Sequence, residues 1–88
     1  MVRYDITFTG RVQGVGFRWT TCRVAERFDV AGWVRNEPDG SVRCVIEGDA
    51  AQLDAFVGAV QDEMAGNVGE TRIRRGAARG ELEGFGIR

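Results

Sequence analysis

The sequence predicts an α+β domain in which two helices pack on one face of a four- to five-stranded antiparallel sheet. Two observations predict it. The apolar residues switch period along the chain, from two to 3.6 and back, in the order strand, helix, strand, strand, helix, strand. The 88 residues suffice for one small domain, residues 1–88, and are too few for two.

The elements follow in order. Val2, Tyr4, Ile6 and Phe8 alternate with Arg3, Asp5, Thr7 and Thr9, the pattern of a half-buried strand. Gly10 ends it and a glycine-rich loop follows. From Phe17 the period becomes helical. Phe17, Thr21, Val24, Ala25 and Phe28 share one face, Arg23, Glu26 and Arg27 the other, and Asp29 breaks the helix. Val30 to Asn36 reads as a strand. Glu37-Pro38-Asp39-Gly40 is a turn, because proline presets its backbone angle and glycine relieves the exit. Val42, Cys44 and Ile46 then alternate, so residues 30–47 form a hairpin.

Asp49 is placed to cap a second helix, with Gln52 reaching back to it. Leu53, Phe56, Val57, Val60 and Met64 form that helix's apolar face, and Gly66 stops it. Val68, Thr71 and Ile73 predict a short fourth strand, Gly76 to Gly80 a flexible loop, and Phe85 and Ile87 a last strand weakened by Gly84 and Gly86. This order is that of the ferredoxin-like split βαβ sandwich. In it the first strand is central, and the strand over residues 30–36 can pair beside it.

Composition narrows the chemistry. The chain has no His, which excludes imidazole metal sites, Ser–His or Cys–His pairs and His bases. It has no Lys, which excludes Schiff-base chemistry and the Walker phosphate motif. Two cysteines, Cys22 and Cys44, are too few for a disulfide framework and lack metal-ligand spacing. The net charge of −1 sets up no broad field for nucleic acid or an anionic membrane. The alternating N-terminus is unlike a signal peptide, and no apolar run approaches a membrane span, so a reducing, cytoplasmic setting is expected.

The stretch Gly10-Arg11-Val12-Gln13-Gly14-Val15-Gly16-Phe17-Arg18 stands out. Its three glycines free the backbone to turn and to present N–H groups to a guest. Arg18 then falls in the first turn of a helix, where the dipole favours negative charge. A cation belongs there if an anion lies between it and the amides, which points to a phosphate cradle. Taken alone, Arg18 reads as a solvated helix residue and Asn36 as turn chemistry ahead of Pro38.

Together with Gly32-Trp33-Val34-Arg35-Asn36, Asp39-Gly40-Ser41-Val42 and Glu47-Gly48, that stretch resembles the acylphosphatase family in residue type, order and spacing, most strongly over residues 4–48. The resemblance implies hydrolysis of the carboxyl–phosphate bond of acyl phosphates with neither metal nor organic cofactor. It implies that Arg18 binds the phosphate and acts in catalysis. The amides of Gln13, Gly14, Val15, Gly16 and Phe17 would complete the cradle, and Asn36 would orient the attacking water. The expected partner is a small acyl phosphate, with no nucleic acid or membrane, and the expected state is a monomer. Trp19 projects from the polar side of the first helix, either at the acyl-group entrance or as plain surface. A rival reading is an RNA-binding sheet, whose glycine–aromatic signature Gly14-Val15-Gly16-Phe17 faintly resembles. In such sheets the aromatic lies within a strand, whereas Phe17 opens a helical pattern.

Overall fold

The computed structural model describes all 88 residues. Strand β1 (Val2–Gly10) leads through the glycine loop to helix α1 (Phe17–Ala25). The hairpin β2 (Ala31–Asn36) and β3 (Val42–Gly48) follows, then helix α2 (Ala50–Glu63), strand β4 (Val68–Ala77) and strand β5 (Phe85–Ile87). The five strands lie in the order β4-β1-β3-β2-β5. β1 pairs with β4 and β3, antiparallel to both, and β3 pairs antiparallel with β2. The first and second strands are therefore parallel to each other with β3 between them, and β2 does not pair beside β1. The hairpin partner occupies the place where direct pairing was expected, which is what splits the βαβ unit.

The period-two faces sort as the alternation requires. Tyr4, Ile6 and Phe8 oppose Ile46, Cys44 and Val42, and these oppose Gly32, Val34 and Asn36. This face carries both helices and the core. Helix α1 contributes Phe17, Thr21, Val24 and Ala25; α2 contributes Leu53, Phe56, Val57 and Val60. Burying each large apolar side chain stabilises the fold by about 1.5–3 kcal/mol. Helix α1 ends at Ala25, short of the expected break at Asp29, and Phe28 packs beyond it against Phe56 at 6.3 Å.

Three further expectations need correction. Asp49 precedes α2 without a side-chain cap, and Gln52 does not reach back to it. Gln52 Oε1 instead accepts from the main-chain N–H of Asp29 at 2.8 Å, tying α2 to the approach to β2. Strand β4 runs to Ala77 and takes in two residues of the expected loop, because their partners Val2 and Arg3 extend the ladder. The sheet is mixed, not antiparallel throughout: β5 pairs parallel with β2. After β4 the chain crosses the end of the sheet where β2 begins. Glu47 accepts there from the N–H groups of Arg79 at 2.9 Å and Gly80 at 3.0 Å. Gly32 N–H donates to Gly84 O at 2.8 Å, and Phe85 packs on Phe56 at 5.8 Å. Entering from that end, β5 can only run alongside β2 in the same direction.

Candidate active site

Because β1 and β2 are parallel, their C-terminal ends lie at the same end of the sheet. The glycine loop leaves β1 there and Asn36 closes β2 there. Phe8, Val42 and Asn36 form one cross-strand rung. Phe17 is buried, and its ring packs on Phe8 with centroids 5.0 Å apart. The first residue of α1 is thus pinned above the rung that carries Asn36, and Arg18 follows directly.

The loop is framed along its length. Arg11 N–H donates to Asn67 O at 2.9 Å, and Asn67 Nδ2 donates to Arg11 O at 3.1 Å. Val12 turns its side chain into the core. Gln13 Nε2 donates to Glu37 O at 2.8 Å and Ser41 O at 2.9 Å. Gly14 and Gly16 then adopt left-handed φ angles of 76° and 77°, which glycine reaches without a Cβ clash.

Between these anchors the main chain is unspent as a donor. No N–H from Val12 to Gly16 donates to a protein acceptor. Those of Phe17, Arg18 and Trp19 are first-turn groups, which intrahelical bonding leaves free. Gly16, the N-cap, offers no side chain, and the first turn holds no acid. The positive end of the helix is therefore uncompensated. Arg18 is partly exposed and belongs to none of the six ion pairs. Opposite, Asn36 Oδ1 is buried and accepts no hydrogen bond from the protein.

One hollow of about 170 Å³ gathers these groups: Gly14, Gly16, Phe17, Arg18 and Asn36 line it together with Val12, Trp19 and Ile87. Gln13 and Val15 do not line it. The Gln13 side chain is turned to the hairpin, and Val15 is exposed. Phe17 faces the core, so only its main chain is available to a guest. The cysteines stand apart from this chemistry: burial pushes both thiols above their ordinary range, Cys44 most. Arg35 is paired with Glu37 at 2.9 Å.

The acylphosphatase family model matches residues 4–87. The chain belongs to the acylphosphatase family. An acylphosphatase of Nocardioides sp. is 48% identical over 85 residues, spanning 96% of this chain and 85% of its own. One of Thermococcus kodakarensis is 45% identical over 87 residues, spanning 98% and 94%. The crystal structure of acylphosphatase from Bacillus subtilis is similar with a TM-score of 0.91 at 34% identity, covering 100% of this chain and 99% of that one. The match thus extends well past residue 48, through α2 and the terminal strand.

In this acylphosphatase-family chain, sequence reasoning missed three contributors to the hollow and its frame. Ile87 reaches the wall because it pairs with Val34 and shares its face. The alternation of Phe85 and Ile87 was its only signal. Val12 is the floor, and its apolar character within a polar loop was the available hint. Asn67 anchors the start of the loop, and nothing local marked it.

Proposed function

We propose that this chain hydrolyses acyl phosphates by holding the phosphoryl group on the loop amides and Arg18 while Asn36 aims water at phosphorus. The observation that carries this reading is the convergence on one hollow of a loop with unspent N–H groups, the unpaired Arg18 and the side chain of Asn36, whose Oδ1 has no protein donor. Successive free amides in left-handed turns form an anion-binding concavity. A guanidinium adds a planar fork that matches phosphate oxygens.

The chemistry needs little else. The water oxygen bonds to phosphorus as the bond from phosphorus to the acyl oxygen breaks. The electron pair leaves with the carboxylate, and the water proton passes to a phosphate oxygen. A loose transition state spreads charge over the equatorial oxygens. Charge-assisted hydrogen bonds from Arg18 and the amides, worth roughly 1.5–3 kcal/mol each, offset it. Asn36 has no basic group; its side-chain amide holds the water by hydrogen bonding and fixes the direction of attack. In this reading the positive charge at the hollow comes from Arg18. The reaction in this reading is metal-free. Trp19, 63% exposed at the rim of the hollow, is where the acyl group emerges.

Turnover of benzoyl phosphate in excess chelator tests the proposal. Wild type should release benzoate at an undiminished rate. Arg18→Gln should lose most activity and weaken inhibition by inorganic phosphate. Asn36→Ala should lose turnover while phosphate inhibition persists. Chelator-sensitive turnover would remove the metal-free reading, and wild-type rates in either variant would remove that residue.

A further inference from the structure

The side chain of Gln13 does something the cradle does not need. Its amide nitrogen spans 24 and 28 residues of sequence to donate to the carbonyls of Glu37 and Ser41. Those carbonyls are the two rims of the β2–β3 turn, and Glu37 directly follows Asn36. The turn is itself a closed unit. Glu37 N–H donates to Ser41 O at 2.9 Å and Gly40 N–H to Glu37 O at 3.1 Å. Asp39 Oδ1 accepts from Ser41 N at 2.9 Å and Ser41 Oγ at 2.6 Å. Gripping both rims therefore grips a rigid piece.

We infer that Gln13 is a positioning residue that sets the distance between the phosphate loop and Asn36. The inference rests on the proposed reading of the site. It assigns the Gln13 side chain a role distinct from that of its main-chain amide. The two halves of the site arise on strands that do not pair with each other, with β3 between them. Gln13 is the side chain that bonds the loop directly to the turn beside Asn36. Two donors on one planar amide fix both separation and orientation, which a single contact would not. Near-attack geometry is sensitive to displacements of about 1 Å, so loosening this link acts on turnover before it acts on phosphate binding.

The test is Gln13→Met, which keeps length and volume but removes both donors. kcat for benzoyl phosphate should fall by about tenfold or more, while the inhibition constant of inorganic phosphate stays within about twofold. In an Asn36→Ala background the same substitution should change the residual rate by less than about twofold, because the residue it acts through is gone. The side-chain amide resonances of Asn36 should shift in Gln13→Met at a temperature where the variant is folded. Should Gln13→Met fail to fold, Gln13→Asn takes its place with the same expectations, being polar but one methylene short of the two carbonyls. An unchanged kcat overturns the inference, and so does a phosphate constant that rises in step with the loss of kcat. If the wild type itself fails to hydrolyse benzoyl phosphate, the proposed activity fails, and the Asn36 resonances alone judge Gln13: shifted supports the link, unmoved overturns it.

Discussion

Replacing Asn36 with Leu should make this protein more stable and nearly inactive. Asn36 ends β2 on the helix-covered face, in the rung shared with Phe8 and Val42. Its Oδ1 is buried without a protein donor. A buried acceptor left unsatisfied costs about 1–3 kcal/mol. Leu is close to Asn in shape and suits an apolar rung. It also gives up the hydration of the exposed amide nitrogen, so the net gain is placed at the low end, about 1 kcal/mol. For a domain of this size that corresponds to a rise in Tm of roughly 4–8 °C. Under the proposed reading turnover should fall by about a hundredfold, since the attacking water would lose its guide. Inhibition by inorganic phosphate should be nearly unchanged, because Arg18 and the loop amides are untouched. Thermal melts followed by circular dichroism, benzoyl phosphate kinetics and phosphate inhibition read the three quantities. A Tm several degrees below wild type would refute the reasoning, for it would mean that Oδ1 is well satisfied in the folded protein. Such a cost in stability at a residue proposed to act in the reaction would be the usual trade between activity and fold.

Three other outcomes follow from the same geometry. The N–H groups of Arg79 and Gly80 and the guanidinium of Arg3 hold the Glu47 carboxyl below its ordinary 4.5. Its contribution is thus present above the unfolded pKa and lost as pH falls through the folded one. Glu47→Gln should lower Tm at pH 7, and the gap to wild type should narrow as the pH falls below the ordinary carboxylate range; a gap that widens on acidification contradicts this. Trp19→Ala should raise KM for benzoyl phosphate roughly three- to tenfold, and for acetyl phosphate by no more than about twofold; equal effects on both substrates would remove Trp19 from acyl-group recognition. Gly16→Ala forces a Cβ into a left-handed residue at φ 77° and should cost about 1–2 kcal/mol in chemical denaturation. It should also weaken phosphate inhibition, and a variant that binds phosphate as wild type does shows that the loop does not depend on this conformation.

Part of the candidate site was legible in the sequence. Arg18 stood out because a cation in a helix's first turn needs an anion to explain it, and Gly14 and Gly16 because left-handed turns need glycine. Asn36 was legible only through the company it kept, since an asparagine before a Pro-Asp-Gly turn is ordinary. Gln13 was placed in the cradle as a donor of its main-chain amide. Its side chain goes to carbonyls far along the chain, and no local pattern announces that. The RNA-binding alternative turned on where Phe17 lies, and the structure buries it at the start of a helix.

The sequence by itself determined which residues face the core, where the helices and the hairpin lie, and which loop presents bare amides. Periodicity and turn chemistry act within a few residues, so they are written in the order of the chain. Only the tertiary structure decided that β3 lies between β1 and β2, that the glycine loop and Asn36 therefore share one end of the sheet, and that β5 joins in parallel to bring Ile87 to the wall. It also decided the partners of Gln13, Gln52 and Asn67, which lie 24, 23 and 56 residues away. The reason is physical: a strand's own residues specify which face is buried, but not which neighbour satisfies its edges, and a side-chain amide bonds to whatever acceptor the fold brings within reach.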